Sequence, residues 1–343
     1  MGDSSSLAQR LAHSSAAAEG EFLVQTKDVS EVIAALSEAS IELNDIVSSG
    51  DFASRVSPFR QIGPNRDSAT LDRKGLEIVA EALRRLSVYG LIAKGGNESL
   101  VLNPAGRCVV VVDPFNGGAE SDADLLVGTI FSISLVEAFT SRASVGQLAA
   151  GVVLYGPRTR LAVTLGDGVD IFTLDRADRT YRLTTAKALV PEAANYSIDA
   201  ANHDDWDPAV RAFIAECRDG ANGDEARNSE FRWAGSLAAE THRLLANGGV
   251  CLHPVNRRRG GESGPIRLFD EARPVAFLIE QAGGRASNGR ERILDQRVAA
   301  PLARTPMFFG SPAMVQRIER LYARPESLAD VSPLFGQRGL FRV

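Results

Sequence analysis

The chain is poor in the groups that would announce a simple answer. It has three cysteines, Cys108, Cys217 and Cys251, with no paired spacing, so neither a disulfide framework nor a structural zinc site is expected, and a reducing compartment fits. It has four histidines, two tryptophans and three methionines. No apolar run approaches the ~20 residues that cross a bilayer, and the first residues lack the apolar core of a secretory signal. The start Met1-Gly2-Asp3-Ser4-Ser5-Ser6 matches a short myristoylation pattern, but no second membrane signal lies near it. Basic excess is missing too. The net charge is -5, which argues against nucleic acid as a partner, and the one basic run, Arg257-Arg258-Arg259, reads as a solvated loop. A cytoplasmic protein that touches neither membrane nor nucleic acid is expected.

What is present is an ordinary globular mixture, 44% hydrophobic and 24% charged, long enough at 343 residues for one large domain or two ordinary ones. Residues 1–20, rich in Ser and Ala, read as a mobile arm. Helical spacing of apolar residues runs from Val29 to Val47 and from Leu76 to Leu86, with Gly90 read as the stop of the second helix. The period then changes. Cys108 to Val112 is a Val-rich run suited to a strand buried on both faces. Strands are expected at 125–133, 152–155, 161–165, 169–174 and 307–309. Helices are expected at 208–217, opened by Asp207-Pro208, and at 233–246, 274–281 and 312–322. Helices on both sides of mixed sheets predict a layered α/β/α/β fold with two lobes, residues 21–190 and 191–335.

The strongest local signal is Val112-Asp113-Pro114-Phe115-Asn116-Gly117-Gly118. A buried strand that ends in an acid, a proline and glycines delivers polar groups to a sheet edge, where α/β proteins bind ligands. Asp113, the Phe115 carbonyl and Asn116 are of the oxygen type that a hard cation takes, although a strand-ending Asp-Pro turn explains the segment alone equally well.

That segment, continued through Val127-Gly128-Thr129-Ile130-Phe131, closely resembles class I fructose-1,6-bisphosphatases, which carry Asp-Pro-Leu-Asp-Gly-Ser-Ser-Asn and then Val-Gly-Thr-Ile-Phe. The likeness continues at Leu154-Tyr155-Gly156, Tyr196-Ser197-Ile198, Trp206-Asp207-Pro208, Gly235-Ser236, His242-Arg243, Gly248-Gly249, Ile266-Arg267-Leu268 and Phe309-Gly310-Ser311-Pro312, in order, over roughly residues 60–322.

The resemblance implies Mg²⁺-dependent hydrolysis of a sugar-phosphate monoester on the sugar phosphatase fold. It implies metal ligation by Asp113, the Phe115 carbonyl, Asn116 and Glu271. Catalytic roles fall on Asp72, Asp113 and Asp122, and phosphate contacts on Asn116 and Gly117. The substrate pocket maps onto Asp199, Arg232, Trp233, His253 and Arg267. A homodimer or homotetramer is implied, because the family Arg at the Arg232 position reaches a neighbouring subunit.

The departures weaken this picture. Asn116 replaces an acid. The family's paired Glu falls on Gly95-Gly96, beside a Lys94 that opposes cations, or, with a short gap, one of its roles falls to Glu98. Another family acid falls on Arg66 or is displaced to Asp67, and Asp199 and Pro265 stand where a phosphate wants neutral or basic groups. The Mg²⁺ site is therefore expected to be weakened, to one ion or none, and the ligand to be another sugar phosphate or related small anion. Two readings stay open: an enzyme with a reduced metal site, and an inactive homologue that binds or regulates. Hydrolysis requires acids from both lobes to converge on one cation, and a Lys or Arg in that space would remove it.

Overall fold

A computed structural model describes residues 5–16, 20–49, 66–94, 99–117, 126–137, 146–219, 229–255, 263–298, 300 and 302–323. Asp122, Gly95-Gly96, Glu98, Gly118 and Arg257-Arg258-Arg259, singled out above, lie outside the described residues.

Helices α1 (Leu7–Ala16), α2 (Gly20–Ser48) and α3 (Arg66–Leu83) precede an eight-stranded sheet. Its strands are β1 (Val88–Ala93), β2 (Ser99–Val101), β3 (Cys108–Asn116), β4 (Gly128–Leu135), β5 (Gln147–Leu154), β6 (Arg160–Thr164), β7 (Val169–Asp175) and β8 (Thr180–Ala188). They lie in the order β2-β1-β3-β4-β5-β6-β7-β8. Among the described residues of this sheet only the β1–β3 pair is parallel, and β3 is buried along its whole length, as the Val run requires.

The second half adds β9 (Tyr196–Ile198), α4 (Pro208–Asp219), α5 (Leu237–Asn247), β10 (Val250–His253) and β11 (Ile266–Arg267). It continues with α6 (Arg273–Gln281), β12 (Arg285–Ser287), β13 (Arg304–Thr305), β14 (Met307–Gly310) and α7 (Pro312–Ala323). A four-stranded sheet runs β12-β14-β10-β9.

The apolar stripes dictate the layers. Val32, Ile33 and Leu36 of α2 and Leu76, Val79 and Leu83 of α3 pack on one face of the large sheet. Leu237 and Leu244 of α5 and Val275 and Ile279 of α6 fill the space between the two sheets. Phe213 of α4 and Val315 of α7 close the outer face of the small sheet. The layered α/β architecture expected from the sequence is observed, with α4 and α7 as a further layer.

Three local expectations are corrected. The arm forms α1, which buries Leu7 and Leu11, and Leu183 donates its N–H to the Ser5 carbonyl at 3.0 Å, so the segment lies along edge strand β8. Gly90 does not end a helix: α3 stops at Leu83, and Gly90 sits within β1, where Val88 and Leu91 are buried. The helix expected from Trp233 begins at Leu237, because Gly235 holds φ at +71° and Ser236 caps the first turn by accepting from the Ala239 N–H at 3.4 Å. Trp233 is thereby left at the surface.

His242 ties the two halves together. Its Nε2 donates to the Val152 carbonyl of β5 at 3.0 Å from the middle of α5, while Nδ1 is buried without a partner. Complete burial pushes its pKa from 6.5 down to about 4, so the ring is neutral in the fold. The unfolded chain takes up a proton near pH 6.5 and the folded chain does not. Stability is therefore lost as pH falls from 6.5 towards 4, by up to about 3 kcal/mol from this group. A His242→Gln variant is expected to show a shallower fall in chemical-denaturation stability between pH 6.5 and 4.5. An unchanged slope would remove His242 as the source.

Candidate functional site

The site grows from the end of β3. The Asp113-Pro114 step breaks the ladder between β3 and β4, which resumes at Asn116 opposite Gly128. The turn is held from below: the Tyr155 hydroxyl donates to Thr129 Oγ1 at 2.6 Å, and Thr129 Oγ1 donates to the Pro114 carbonyl at 2.8 Å. Phe115 is buried against Gly75 of α3, where a Cβ would lie 2.7 Å from its ring. Gly117 has φ of +89°, and a Cβ there would meet the Leu126 carbonyl at 2.5 Å, so only glycine fits. These constraints fix Asp113 and Asn116 in space.

A wide turn at Leu268–Ala272, between β11 and α6, brings the second set. Arg267 Nη2 donates to Asp113 Oδ2 at 3.1 Å and pairs with Glu271 Oε1 at 2.7 Å. Its Nε donates to Asp270 Oδ2 at 2.7 Å, and its backbone N–H to Glu271 Oε2 at 2.8 Å. Lys94 Nζ lies 3.5 Å from Asp113 Oδ1 and 4.0 Å from Asp72 Oδ2. Asp113 is fully buried and Glu271 nearly so. Four carboxylates thus face two cations in a poorly solvated space.

The carboxylates expected at the metal do converge, but the chain's own cations lie among them. Asn116 turns its Nδ2 to Asp113 Oδ2 at 3.1 Å and Glu271 Oε1 at 3.2 Å, while its Oδ1 accepts from the Ala238 N–H of α5 at 3.3 Å. The amide thus donates to the acids, with its oxygen turned to α5.

A divalent cation fits this arrangement poorly. Asp113 Oδ1 has no hydrogen bond, which leaves one open oxygen. A dication about 4 Å from a retained ammonium would nevertheless be repelled by roughly 8 kcal/mol at an effective dielectric of about 20. Among the described residues, no three His, Cys, Asp or Glu form a group that could hold a metal ion.

The remaining predicted residues divide in two. Asp199, just past β9, accepts from the Ala201 N–H at 3.0 Å and Asn202 Nδ2 at 2.5 Å, so its carboxylate caps its own turn. His253 ends the parallel neighbour β10; its ring stacks on Phe309 at 6.3 Å and lies 5.8 Å from Trp233. Arg232 does not join them. It pairs with Glu230 beside the residues that lead into β9 and β10. Arg267, expected at the substrate, lies at the centre of the acid cluster. The pairing of Arg267 with Asp270 and Glu271 was not anticipated, although the i, i+3 and i, i+4 spacing in Arg267-Leu268-Phe269-Asp270-Glu271 is the sequence signal for it.

The charge imbalance shifts the acids. Burial first, then Asp113 and Asp270, raises Glu271 from 4.5 to about 7 against the pull of Arg267. Burial also raises Asp72 from 3.8 to about 6, with Lys94 opposing. An acid whose folded pKa is raised contributes stability that is present below its unfolded pKa and lost as pH rises through the folded value. Glu271→Gln is therefore expected to melt above the wild type at pH 8, with the difference shrinking towards pH 5. A variant less stable at pH 8 than at pH 5, relative to wild type, would overturn the assignment.

Residues 65–186 match the family described as Fructose-1-6-bisphosphatase, N-terminal domain, and residues 189–323 that described as Fructose-1-6-bisphosphatase, C-terminal domain. The chain is 41% identical over 326 residues to a fructose-1,6-bisphosphatase class 1 of Rhodopseudomonas palustris (strain HaA2), covering 93% of this chain and 94% of that protein. It is 43% identical over 324 residues to one of Nitrobacter vulgaris, covering 92% and 93%. The crystal structure of Leishmania major fructose-1,6-bisphosphatase in holo form shares the fold, with a TM-score of 0.80 at 24% identity over 94% of this chain and 100% of that one. Family membership supports a phosphatase function in its broad sense, and no helix among the described residues is long and apolar enough to cross a membrane. The chain belongs to the class 1 fructose-1,6-bisphosphatase family.

Proposed function

We propose that this chain is a member of the family that binds a phosphorylated sugar at the end of β3, with its metal site depleted and Mg²⁺-dependent hydrolysis lost or reduced to a trace. The observation that carries the reading is the pair of basic side chains on Asp113, Lys94 at 3.5 Å and Arg267 at 3.1 Å. In phosphoryl hydrolysis a bound Mg²⁺ polarises the phosphoryl oxygen and lowers the pKa of the attacking water. Here Asp113, Asp270 and Glu271 are engaged with Arg267, and Asn116 donates to two of them. The ligand class is a sugar phosphate or related small anion. The neighbourhood of Asp199, Trp233 and His253, with its self-capped acid and its aromatic rings, supports a sugar other than the bisphosphate named in the relatives. A cytoplasmic homodimer or homotetramer, as the family resemblance implies, belongs to the same proposal.

Asp72 favours a second reading, in which residual hydrolysis of the same substrate class persists. Burial lifts this acid to about pKa 6, close to neutral, where a proton-transfer group works best.

Phosphate release from a panel of sugar phosphates, fructose 1,6-bisphosphate included, with Mg²⁺ or Mn²⁺, separates the two readings. Losing about 4 kcal/mol of metal stabilisation corresponds to about a thousandfold in rate. Turnover at least about that far below the Nitrobacter vulgaris relative assayed in parallel is expected, with no metal-dependent thermal shift. Turnover within about tenfold of that relative, abolished by Asp113→Ala, would sink the depleted-site reading.

A further inference from the structure

The ladder between β3 and β4 skips at one place. Asp113 faces Ile130 and Asn116 faces Gly128, so Pro114 and Phe115 together stand opposite Thr129. Two residues against one is a β-bulge. Proline has no N–H to give the ladder, so Pro114 suits the interruption.

The bulge decides what the strand presents. In a regular strand, residues three apart point to opposite faces. Here they do not. Val110, Val112 and Phe115 all enter the core that α2 and α3 cover, although Val112 and Phe115 are three apart. Asp113 and Asn116, also three apart, share the other face, where Asn116 Nδ2 donates to Asp113 Oδ2 at 3.1 Å and to Glu271 Oε1 at 3.2 Å. Without the extra residue, Asn116 would turn away from both acids.

A bulge leaves backbone groups outside the ladder, and a buried carbonyl with no partner is costly. The Pro114 carbonyl is caught by a side chain: Thr129 Oγ1 donates to it at 2.8 Å. The same oxygen lies 2.6 Å from the Tyr155 hydroxyl. A threonine hydroxyl has one hydrogen, and Pro114 takes it, so Tyr155 is the donor to Thr129. The direction of both bonds is thereby fixed.

Tyr155 is itself held firmly. It follows directly on β5, its N–H donates to the Val127 carbonyl at 3.0 Å, and its side chain is buried. Burial raises its pKa well above 10, so the hydroxyl keeps the proton that it donates. Among the described residues, neither hydroxyl bonds to an acid of the cluster. Both act on the cluster only through the backbone of β3.

From this arrangement we infer that Thr129 and Tyr155 are positioning residues. Their relay, from the end of β5 through β4 to β3, pins the bulge that sets Asp113, Asn116 and Gly117 around one point. It thereby sets the affinity for the phosphorylated sugar, a part that rests on the function proposed above.

Two measurements on the full chain test this. Hydrogen–deuterium exchange reads the bulge without any ligand. Thr129→Val removes the centre of the relay and is expected to speed exchange over residues 113–117 at least about tenfold, and Tyr155→Phe by a smaller factor. Thr129→Ser keeps the hydroxyl and is expected to exchange as the wild type does. Calorimetric titration with fructose 1,6-bisphosphate, fructose 6-phosphate, glucose 6-phosphate and inorganic phosphate reads the site. Affinity for whichever of these binds is expected to fall about tenfold in Thr129→Val and less in Tyr155→Phe, with Thr129→Ser close to wild type.

Exchange raised evenly along the whole chain, or Thr129→Ser as damaging as Thr129→Val, would reduce the pair to ordinary packing and overturn the inference. Faster exchange at 113–117 with unchanged affinity would overturn it as well. If the wild type binds none of the four probes, the proposed function falls, and exchange over 113–117 alone decides whether the relay holds the bulge. Circular dichroism of each variant separates loss of binding from loss of fold.

Discussion

The guanidinium of Arg267 is the interaction on which this architecture turns. It joins Asp113, at the end of a strand of the large sheet, to Asp270 and Glu271 in the turn that leads into α6. A carboxylate as buried as Asp113 costs several kcal/mol to desolvate, and only a close, hydrogen-bonded cation offsets that. Removing Arg267 would leave three acids facing one another with Lys94 alone among them. Breaking such a cluster is expected to be far more destructive than replacing all of it with apolar groups of equal volume. The link between the halves and the chemistry of the site are therefore one problem, solved by one side chain.

The same residues carry the proposed weakening of metal-dependent hydrolysis. The carboxylates of a metal site repel one another, and a site that holds a metal leaves that repulsion for the ion to relieve. Here the relief is built into the chain. Lys94 and Arg267 offset part of the charge, protonation of Glu271 and Asp72 near neutral pH offsets more, and Asn116 supplies hydrogen-bond donors where a further acid would have added to it. Each change makes the folded chain less dependent on an external cation. They act in the same direction, which is more informative than any one of them alone.

How much of this was legible in the sequence depended on the kind of signal. Strand β3 was readable because five consecutive apolar residues have no other economical place than a sheet interior, and α4 because Asp207-Pro208 both caps and starts it, with Asp207 Oδ1 accepting from the Val210 N–H at 3.1 Å. Edge strand β8 was not. Its Thr, Lys and Arg residues face solvent, and its place comes from pairing with β7 and from α1 lying across it, neither of which leaves a periodic trace. The acid cluster was half legible. Motif resemblance gathered Asp113, Asn116, Arg267 and Glu271, but residue type alone does not say which way an amide turns. Asn116 could present oxygen or nitrogen to the acids, and only the Ala238 N–H on its other side decides the matter.

Arg232 makes the converse point. Sequence position assigns it to the substrate by analogy with a family residue that acts on a neighbouring subunit, whereas within its own chain it stands beside Glu230 at the mouth of another cavity. Both placements follow from the same local fact, that residues 232–236 form no helix before Ser236 caps α5. Outside the helix the two side chains part, Trp233 lying beside the His253 ring and Arg232 lining a cavity with Arg243. Had the helix begun at Trp233, the two would have stood only about 100° apart around one axis. The capping serine, and not the identity of either neighbour, sets where each of the two side chains stands.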